Sequence, residues 1–179
     1  FKGTEPTKYI LLAYLTGILP LRKEKSQSGL NNFDEFTMLS ASRLAPYMGF
    51  TEVEVKKLTE KYHQNFSEVK SWYDGYLLKD TQVYNPRAIV SAMLHGDFKN
   101  YWAETASSDA IMPLISMNYD GLQFAIIEII SGAAVKVDTA VFTNDPSSIA
   151  SKDDVLTYMI HLGYLGYNQN RKTAFVPNE

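Results

Sequence analysis

The chain has 179 residues, of which 45% are hydrophobic and 13% aromatic, and its formal net charge is −3. These values predict one compact domain or two small ones, and they argue against a strongly basic nucleic-acid-binding protein. The lack of cysteine excludes disulfides, thiolate catalysis and cysteine-ligated zinc. No apolar run reaches the roughly 18–20 residues that span a bilayer, so we expect a soluble, cytoplasmic protein without a membrane partner.

The first segment with a structural signal is the apolar run "TKYILLAYLTGILPL". Its first half fits a short helix, and "AYLTGILPL" fits a buried strand that runs into a loop. Periodicity does not separate the two, but Gly17 and Pro20 favour a strand that ends there. A polar loop, "RKEKSQSGLNNF", follows this run. We therefore assign residues 1–30 to a core strand and a loop.

Helix signals dominate the next part of the chain. Thr51 and Glu54 form a capping box before a long amphipathic segment, and Ser67 is the expected N-cap of the shorter helix "SEVKSWY". Asn85 and Pro86 open another helix, which we expect to end near His95.

Between and after these helices the chain predicts short strands. The stretch "YDGYLLKDTQVY" predicts a turn followed by a two-stranded ribbon, and "AAVKVDTAVF" is strand-like. The stretches "SSDAIMPLISM" and "DGLQFAIIEIISG" predict two further helices. Residues 31–145 are therefore expected to form a mainly helical body.

The last part, residues 146–179, predicts a helix after Ser151 and then two strands joined by a turn at residues 168–170. This is the order of the second half of a winged helix, a helix followed by a β wing. "NDPSSIAS" is the expected boundary before it. The predicted fold class is mainly α with short β elements (α+β), a helical body followed by a winged-helix-like unit.

Few residues suggest chemistry. The Asp74 carboxylate could serve as a general base or a metal ligand, but both roles need partners, and no second carboxylate lies at helical or strand spacing. We therefore favour the structural interpretation, an Asp-Gly turn. Asp153 and Asp154 follow Ser151, where helix capping is a better explanation than metal binding.

The three histidines, His63, His95 and His161, lack the spacing of a metal site. The sequence also has no phosphate-binding loop, no dinucleotide fingerprint and no nucleophile elbow. We therefore expect no metal site and no catalysis by this chain alone.

Arg171 and Lys172 fall in the predicted wing, where winged helices often contact DNA phosphates. Exposed turns are commonly charged, so both a DNA contact and an ordinary solvated turn remain open for this pair.

Eight segments in order resemble the uncharacterised bacterial "AAA-ATPase-like" family and cover essentially the whole chain. They are "YLTGILPLRKEKSQSGLNNFDEFTM", "GFTEVEV", "WYDGY", "VYNP", "YWAET", "NYDGL", "KDDVLTYMIHLGYLGY" and "VPNE". The resemblance implies a longer protein with an N-terminal P-loop domain, ATP and Mg²⁺, and in many members a C-terminal nuclease-like domain of the PD-(D/E)XK type. This chain has neither the phosphate loop nor the nuclease carboxylates, so it resembles the middle of such a protein.

The resemblance also implies roles for some polar residues. Thr16 resembles the sensor residue at the end of the last core strand, and Gly17 would let the chain turn close to the nucleotide. A β-forming threonine followed by an ordinary glycine is the alternative. Asn31 and Asn32 could approach nucleotide or simply satisfy a turn, and Arg87 is a candidate phosphate contact.

Three functions follow as hypotheses. The chain is the sensor, lid and winged-helix part of an ATPase, a winged-helix module that binds nucleic acid, or a protein-interaction scaffold without catalysis. In each of them "WYDGY" and "VYNP" are expected to be structural, with Trp72, Tyr73 and Tyr76 as large core side chains.

Overall fold

A computed structural model describes residues 8–20, 33–101 and 108–177. In this part of the chain the fold is α+β, as predicted, and combines helices with two small antiparallel sheets. The α-helices are α1 (Glu52–Tyr62), α2 (Phe66–Tyr73), α3 (Pro86–His95), α4 (Met112–Met117), α5 (Leu122–Ile130) and α6 (Lys152–His161). Short 3-10 helices span Ser42–Tyr47, Ser108–Ala110, Tyr119–Gly121 and Pro146–Ser148.

Each sheet has three strands. The strands are β1 (Phe50–Thr51), β2 (Tyr76–Leu78), β3 (Thr81–Tyr84), β4 (Val135–Lys136), β5 (Gly166–Asn168) and β6 (Thr173–Phe175). The strand orders are β1-β3-β2 and β4-β6-β5, and every pair is antiparallel. Both sheets therefore place the second strand of a hairpin in the centre.

The same topology occurs twice along the chain. In each half a short strand is followed by helical structure and then by a hairpin, and the short strand pairs with the hairpin's second strand. The first half runs β1, α1, α2, β2 and β3, and the second runs β4, α6, β5 and β6. From the sequence we predicted helices and a hairpin in each half, and a winged-helix order only at the end of the chain. The pairing of β1 and β4 with the hairpins was not predicted.

Helix ends follow local side-chain chemistry. Thr51 and Glu54 form the predicted capping box of α1, and the Asn85 side chain caps α3 by accepting from the Ala88 N–H. The predicted cap of α2 is wrong by two residues, because Asn65 Oδ1 accepts from the Ser67 and Glu68 N–H groups. Since Asn65 adopts an extended backbone and its side chain accepts from both N–H groups, the helix begins before Ser67.

The buried side chains form separate clusters. One cluster joins α1, α2 and α3 through Val55, Val69 and Ile89. Another contains Leu122 from α5 and Leu156 from α6, so residues on both sides of position 146 contribute to one core. The division into residues 31–145 and 146–179 stays a prediction beside this observation.

Residues 8–20 have no helix or strand, so the strand predicted to end at Pro20 is not formed. A strand satisfies its backbone groups by pairing with a neighbour, and neither sheet described above pairs with this segment. Leu19 packs against the core cluster that contains Leu156. Seven large apolar side chains of the segment are exposed: Tyr9, Ile10, Leu11, Leu12, Tyr14, Leu15 and Ile18.

Within residues 8–20, 33–101 and 108–177, no helix has both the length and the apolar character needed to cross a membrane.

Candidate functional site at the sheet junction

The two sheets meet where β2 and β5, an edge strand of each, lie side by side. The Tyr76 hydroxyl donates a hydrogen bond of 2.7 Å to the Gly163 carbonyl oxygen. Gly75, with φ +135°, lies directly against the Pro177 carbonyl. The segments "WYDGY" and "HLGYLGY" and the proline of "VPNE" thus come together at one junction, although they are far apart in sequence.

The aromatic residues of "WYDGY" have different environments. Tyr73 and Tyr76 are buried, as predicted, but Trp72 is only partly buried. The Tyr73 hydroxyl donates to the Lys99 carbonyl at 3.0 Å and accepts from the Lys99 N–H at 3.1 Å. The Tyr73 hydroxyl therefore links α2 to the segment after α3 by hydrogen bonds, whereas the Tyr76 hydroxyl links the two sheets.

Asp74 lies at the end of α2, and its side chain is only 14% exposed. One of its oxygens lies 3.8 Å from Lys70 Nζ, and Lys70 also bonds Glu52 at 3.1 Å. The other oxygen, Oδ1, is buried and has no hydrogen-bond partner among the described residues. An ammonium group thus separates Asp74 from the other nearby carboxylate, which is the arrangement of a charge-compensated structural residue.

Tyr84, on β3, is fully buried, and within the described part of the chain its hydroxyl has no hydrogen-bond partner. Burial raises the pKa of Tyr84, and the negative charges of Asp74 and Glu52 raise it further. The phenol therefore stays protonated at physiological pH and cannot serve as a base there.

The residues predicted to contact nucleotide do not form one site here. Thr16 and Gly17 are exposed in the irregular segment, and Arg87 is exposed in the first turn of α3. Asn31 and Asn32 lie outside the described residues. Their roles stay predictions.

Arg171 and Lys172 are exposed in the turn between β5 and β6, where the wing was predicted. The Arg171 N–H donates to Asn168 Oδ1 at 3.0 Å, which closes the turn. The preceding helix, α6, is buried along Asp154–His161. The side chains of that stretch are therefore not available to enter a DNA groove, and the hairpin is the exposed part of this unit.

The remaining candidates have structural environments. Asp154 accepts hydrogen bonds from the Ser151 N–H and hydroxyl at the start of α6, as expected for a cap. The ring of His95 stacks on Tyr101 with centroids 5.8 Å apart, and that of buried His161 lies 6.2 Å from the Phe142 ring. In the described ranges, no group of three or more histidine, aspartate or glutamate side chains could hold a metal ion.

Sequence reasoning missed the contacts at the junction. It predicted the Asp74–Gly75 turn, but nothing in the local pattern indicates that the Gly75 backbone faces Pro177. The one available signal is the glycine itself, because a close backbone approach is a common reason for glycine beside a strand.

The Tyr76 hydrogen bond leads to a prediction with a pH dependence. We expect Tyr76→Phe to lower the free energy of unfolding by about 1 kcal/mol at neutral pH, because the bond to Gly163 is lost. Burial raises the pKa of Tyr76 to about 12. Because the pKa of Tyr76 is higher in the folded than in the unfolded state, the protonated phenol contributes its full stabilisation below pH ~10, the ordinary tyrosine pKa. This contribution is lost as the pH rises toward 12. The advantage of the wild type over Tyr76→Phe should therefore shrink above pH ~10, as urea unfolding would measure.

Tyr84→Phe is the matched control for this measurement. Its hydroxyl is buried without a described partner, so its removal should leave stability unchanged or slightly higher at neutral pH. Equal losses in the two variants would show that the Tyr76 bond does not stabilise the junction.

A protein described as "Uncharacterized protein in vnfD 5'region", from Azotobacter chroococcum mcd 1, is similar to this chain. The two are 29% identical over 110 residues, which are 60% of this chain and 21% of that protein. The matched region thus spans about a fifth of the relative's length. No protein-family model and no solved structure matches the chain. The name of this relative assigns no activity, so the function is argued from the residues.

Proposed function

We propose that this chain is the sensor, lid and winged-helix part of an AAA-type ATPase, and that it closes over nucleotide bound by an N-terminal P-loop domain of a longer protein. In this proposal ATP and Mg²⁺ bind that domain, and the chain reports the nucleotide state to a further domain, such as a nuclease-like one. The protein is cytoplasmic in this proposal.

The observation that carries the proposal is the exposed apolar segment at residues 8–20. Leu11 is fully exposed, and Tyr9, Leu12, Tyr14 and Ile18 are each at least 80% exposed. Such a run of large apolar side chains at a surface marks a place that another part of a protein covers. In our proposal these residues form the last core strand of an ATPase sheet, and the rest of that sheet buries them and pairs with their backbone.

The anchoring of this segment supports the same proposal. Leu19 packs against the core around α5 and α6, so the exposed residues begin immediately outside a fixed point. Thr16 and Gly17 lie within three residues of that point, near the end of the apolar segment. A sheet that took up the segment would therefore place Thr16 at the end of its strand, where a sensor hydroxyl faces the γ-phosphate and the attacking water.

The repeated topology supports the winged-helix part of the proposal. A strand, helical structure and a hairpin, with the first strand paired to the last, is the arrangement of a winged helix. In our proposal both halves are winged-helix-like, and β2 and β5, which belong to the two wings, lie against each other. The junction then couples the two halves into one lid.

Thr16→Ala in the longer protein tests the sensor role. We expect turnover of ATP to fall at least about ten-fold with little change in nucleotide binding, because the hydroxyl acts on the transferring phosphate. Thr16→Ser keeps the hydroxyl and should retain turnover. Asp74→Asn, at the junction, should also leave activity largely intact. Unchanged turnover in Thr16→Ala would remove this residue from the site.

A second candidate is a protein-interaction scaffold, which a different surface favours. Helix α5 exposes Phe124, Ile127 and Ile130 by 66%, 60% and 73%. A helix that is apolar on most of its faces is normally covered on more than one side. A scaffold of this kind binds no nucleotide, and this distinguishes it from the ATPase proposal.

A further inference from the structure

The β2–β3 and β5–β6 hairpins are oriented so that their turns lie at the same end of the two sheets. At their bases, Gly75 lies against Pro177 and the Tyr76 hydroxyl bonds the Gly163 carbonyl. Residues 75 and 76 begin the first hairpin, whereas residues 163 and 177 flank the second. Because β2 and β5 lie side by side with their bases together, their turns lie at the same end of the paired sheets.

This shared end carries cationic side chains. Lys79 lies beside the exposed Asp80 in the turn between β2 and β3, and Arg171 and Lys172 lie in the turn between β5 and β6. Lys136 on β4 pairs with Thr173, the first residue after the second turn. All four cations are exposed, and none makes an ion pair with another described residue. We call these four residues the hairpin-tip surface.

The backbone at two of the cations is unusual. Lys79 has φ +57° and Lys172 has φ +53°, in the left-handed region where a Cβ atom is disfavoured. Glycine or asparagine is the residue type that such turn positions favour. Both hairpins thus have a long cationic side chain at a position that costs backbone strain, and strain of this kind concentrates at functional sites.

We propose that the hairpin-tip surface binds the sugar–phosphate backbone of a nucleic acid. Cations on two adjacent turns match the regularly spaced negative charges of such a backbone. Contacts to phosphates alone carry no sequence information. The binding is therefore independent of sequence and strongly dependent on salt. It does not depend on the nucleotide role proposed above, because it uses none of the same residues.

The test is fluorescence anisotropy with a labelled DNA duplex of about 20 base pairs, titrated with this chain over a range of salt concentrations. The test variant is Lys79→Gly with Lys172→Gly, which removes two charges and relieves both strained turns. The matched control is Lys57→Gln with Lys61→Gln, which removes two exposed charges from α1. Melting temperatures are measured for all three proteins.

We expect the wild type to bind at low salt. In the test variant the slope of log affinity against log salt should become less steep, its magnitude decreasing by about two. Its melting temperature should equal or exceed that of the wild type, and the control should keep the wild-type slope. No binding by the wild type at low salt, or the same slope in test variant and wild type, would overturn the proposal. If the glycine variant has a lower melting temperature than the wild type, Arg171→Gln tests the binding instead. We expect the magnitude of its salt slope to be smaller than that of the wild type by about one.

Discussion

Gly75→Ala is expected to be among the most damaging single substitutions in the described part of this chain. A Cβ atom at position 75 would lie 1.1 Å from the Pro177 carbonyl oxygen, far inside van der Waals contact. The residue also has φ +135°, which an alanine rarely adopts. Neither backbone can yield without separating the base of β2 from the chain after β6. We expect a loss of more than about 4 kcal/mol in the free energy of unfolding, measured by urea denaturation followed by circular dichroism.

Gly132→Ala is a control that has the backbone strain expected for Gly75→Ala without its steric clash. Gly132 also has a positive φ of +91°, but no described atom lies within 4 Å of the position that a Cβ atom would take there. Its substitution should cost only the backbone strain, on the order of 1–3 kcal/mol. If Gly75→Ala were no worse than Gly132→Ala, the close contact between Gly75 and Pro177 would not hold in solution.

Leu122→Ala and Leu156→Ala are expected to have the next largest effects. Both side chains are fully buried in one core cluster, although Leu122 belongs to α5 and Leu156 to α6. Each truncation should cost about 2–5 kcal/mol, because it removes apolar contacts and leaves a cavity. Ile127→Ala, on the 60% exposed face of α5, should change stability by less than about 0.5 kcal/mol.

Hydrogen exchange shows whether these two leucines stabilise one cooperative unit. We expect both alanine variants to speed amide exchange in β6 to a similar degree, because α5 and α6 share its core. Exchange in β3, which belongs to the other sheet, should change less. An unchanged β6 in Leu122→Ala would instead support a domain boundary near residue 146.

Where the sequence was informative, a few neighbouring residues decide the structure. The side chain of Asn85, the fixed φ of Pro86 and the left-handed Gly96 together define α3, and all three lie at its own ends. The capping boxes of α1 and α6 are local in the same sense. Such elements could be predicted because the competing conformations differ in interactions that span only three or four residues.

The junction could not be predicted in this way. The Tyr76 and Gly163 partners are 87 residues apart, and either residue alone fits many environments. The repetition of the strand–helix–hairpin topology was missed for a related reason. Strands β1 and β4 have two residues each, and they are defined only by their pairing with the hairpins. Short strands carry too little periodicity to be recognised without their partners.

Residues 8–20 show the opposite failure. Their apolar, partly β-branched pattern predicts a buried strand, but no strand forms because the described sheets offer it no partner. The same mismatch between pattern and environment is what the proposed ATPase sheet would resolve.

Calorimetric titration of a non-hydrolysable ATP analogue tests the central claim most directly. It compares residues 1–179 with the longer protein that includes the proposed N-terminal P-loop domain, and includes Thr16→Ala in the latter. We expect no binding to residues 1–179, binding to the longer protein, and near-normal affinity in Thr16→Ala. A longer protein that binds no nucleotide would contradict the ATPase proposal and leave the exposed face of α5 as evidence for an interaction scaffold.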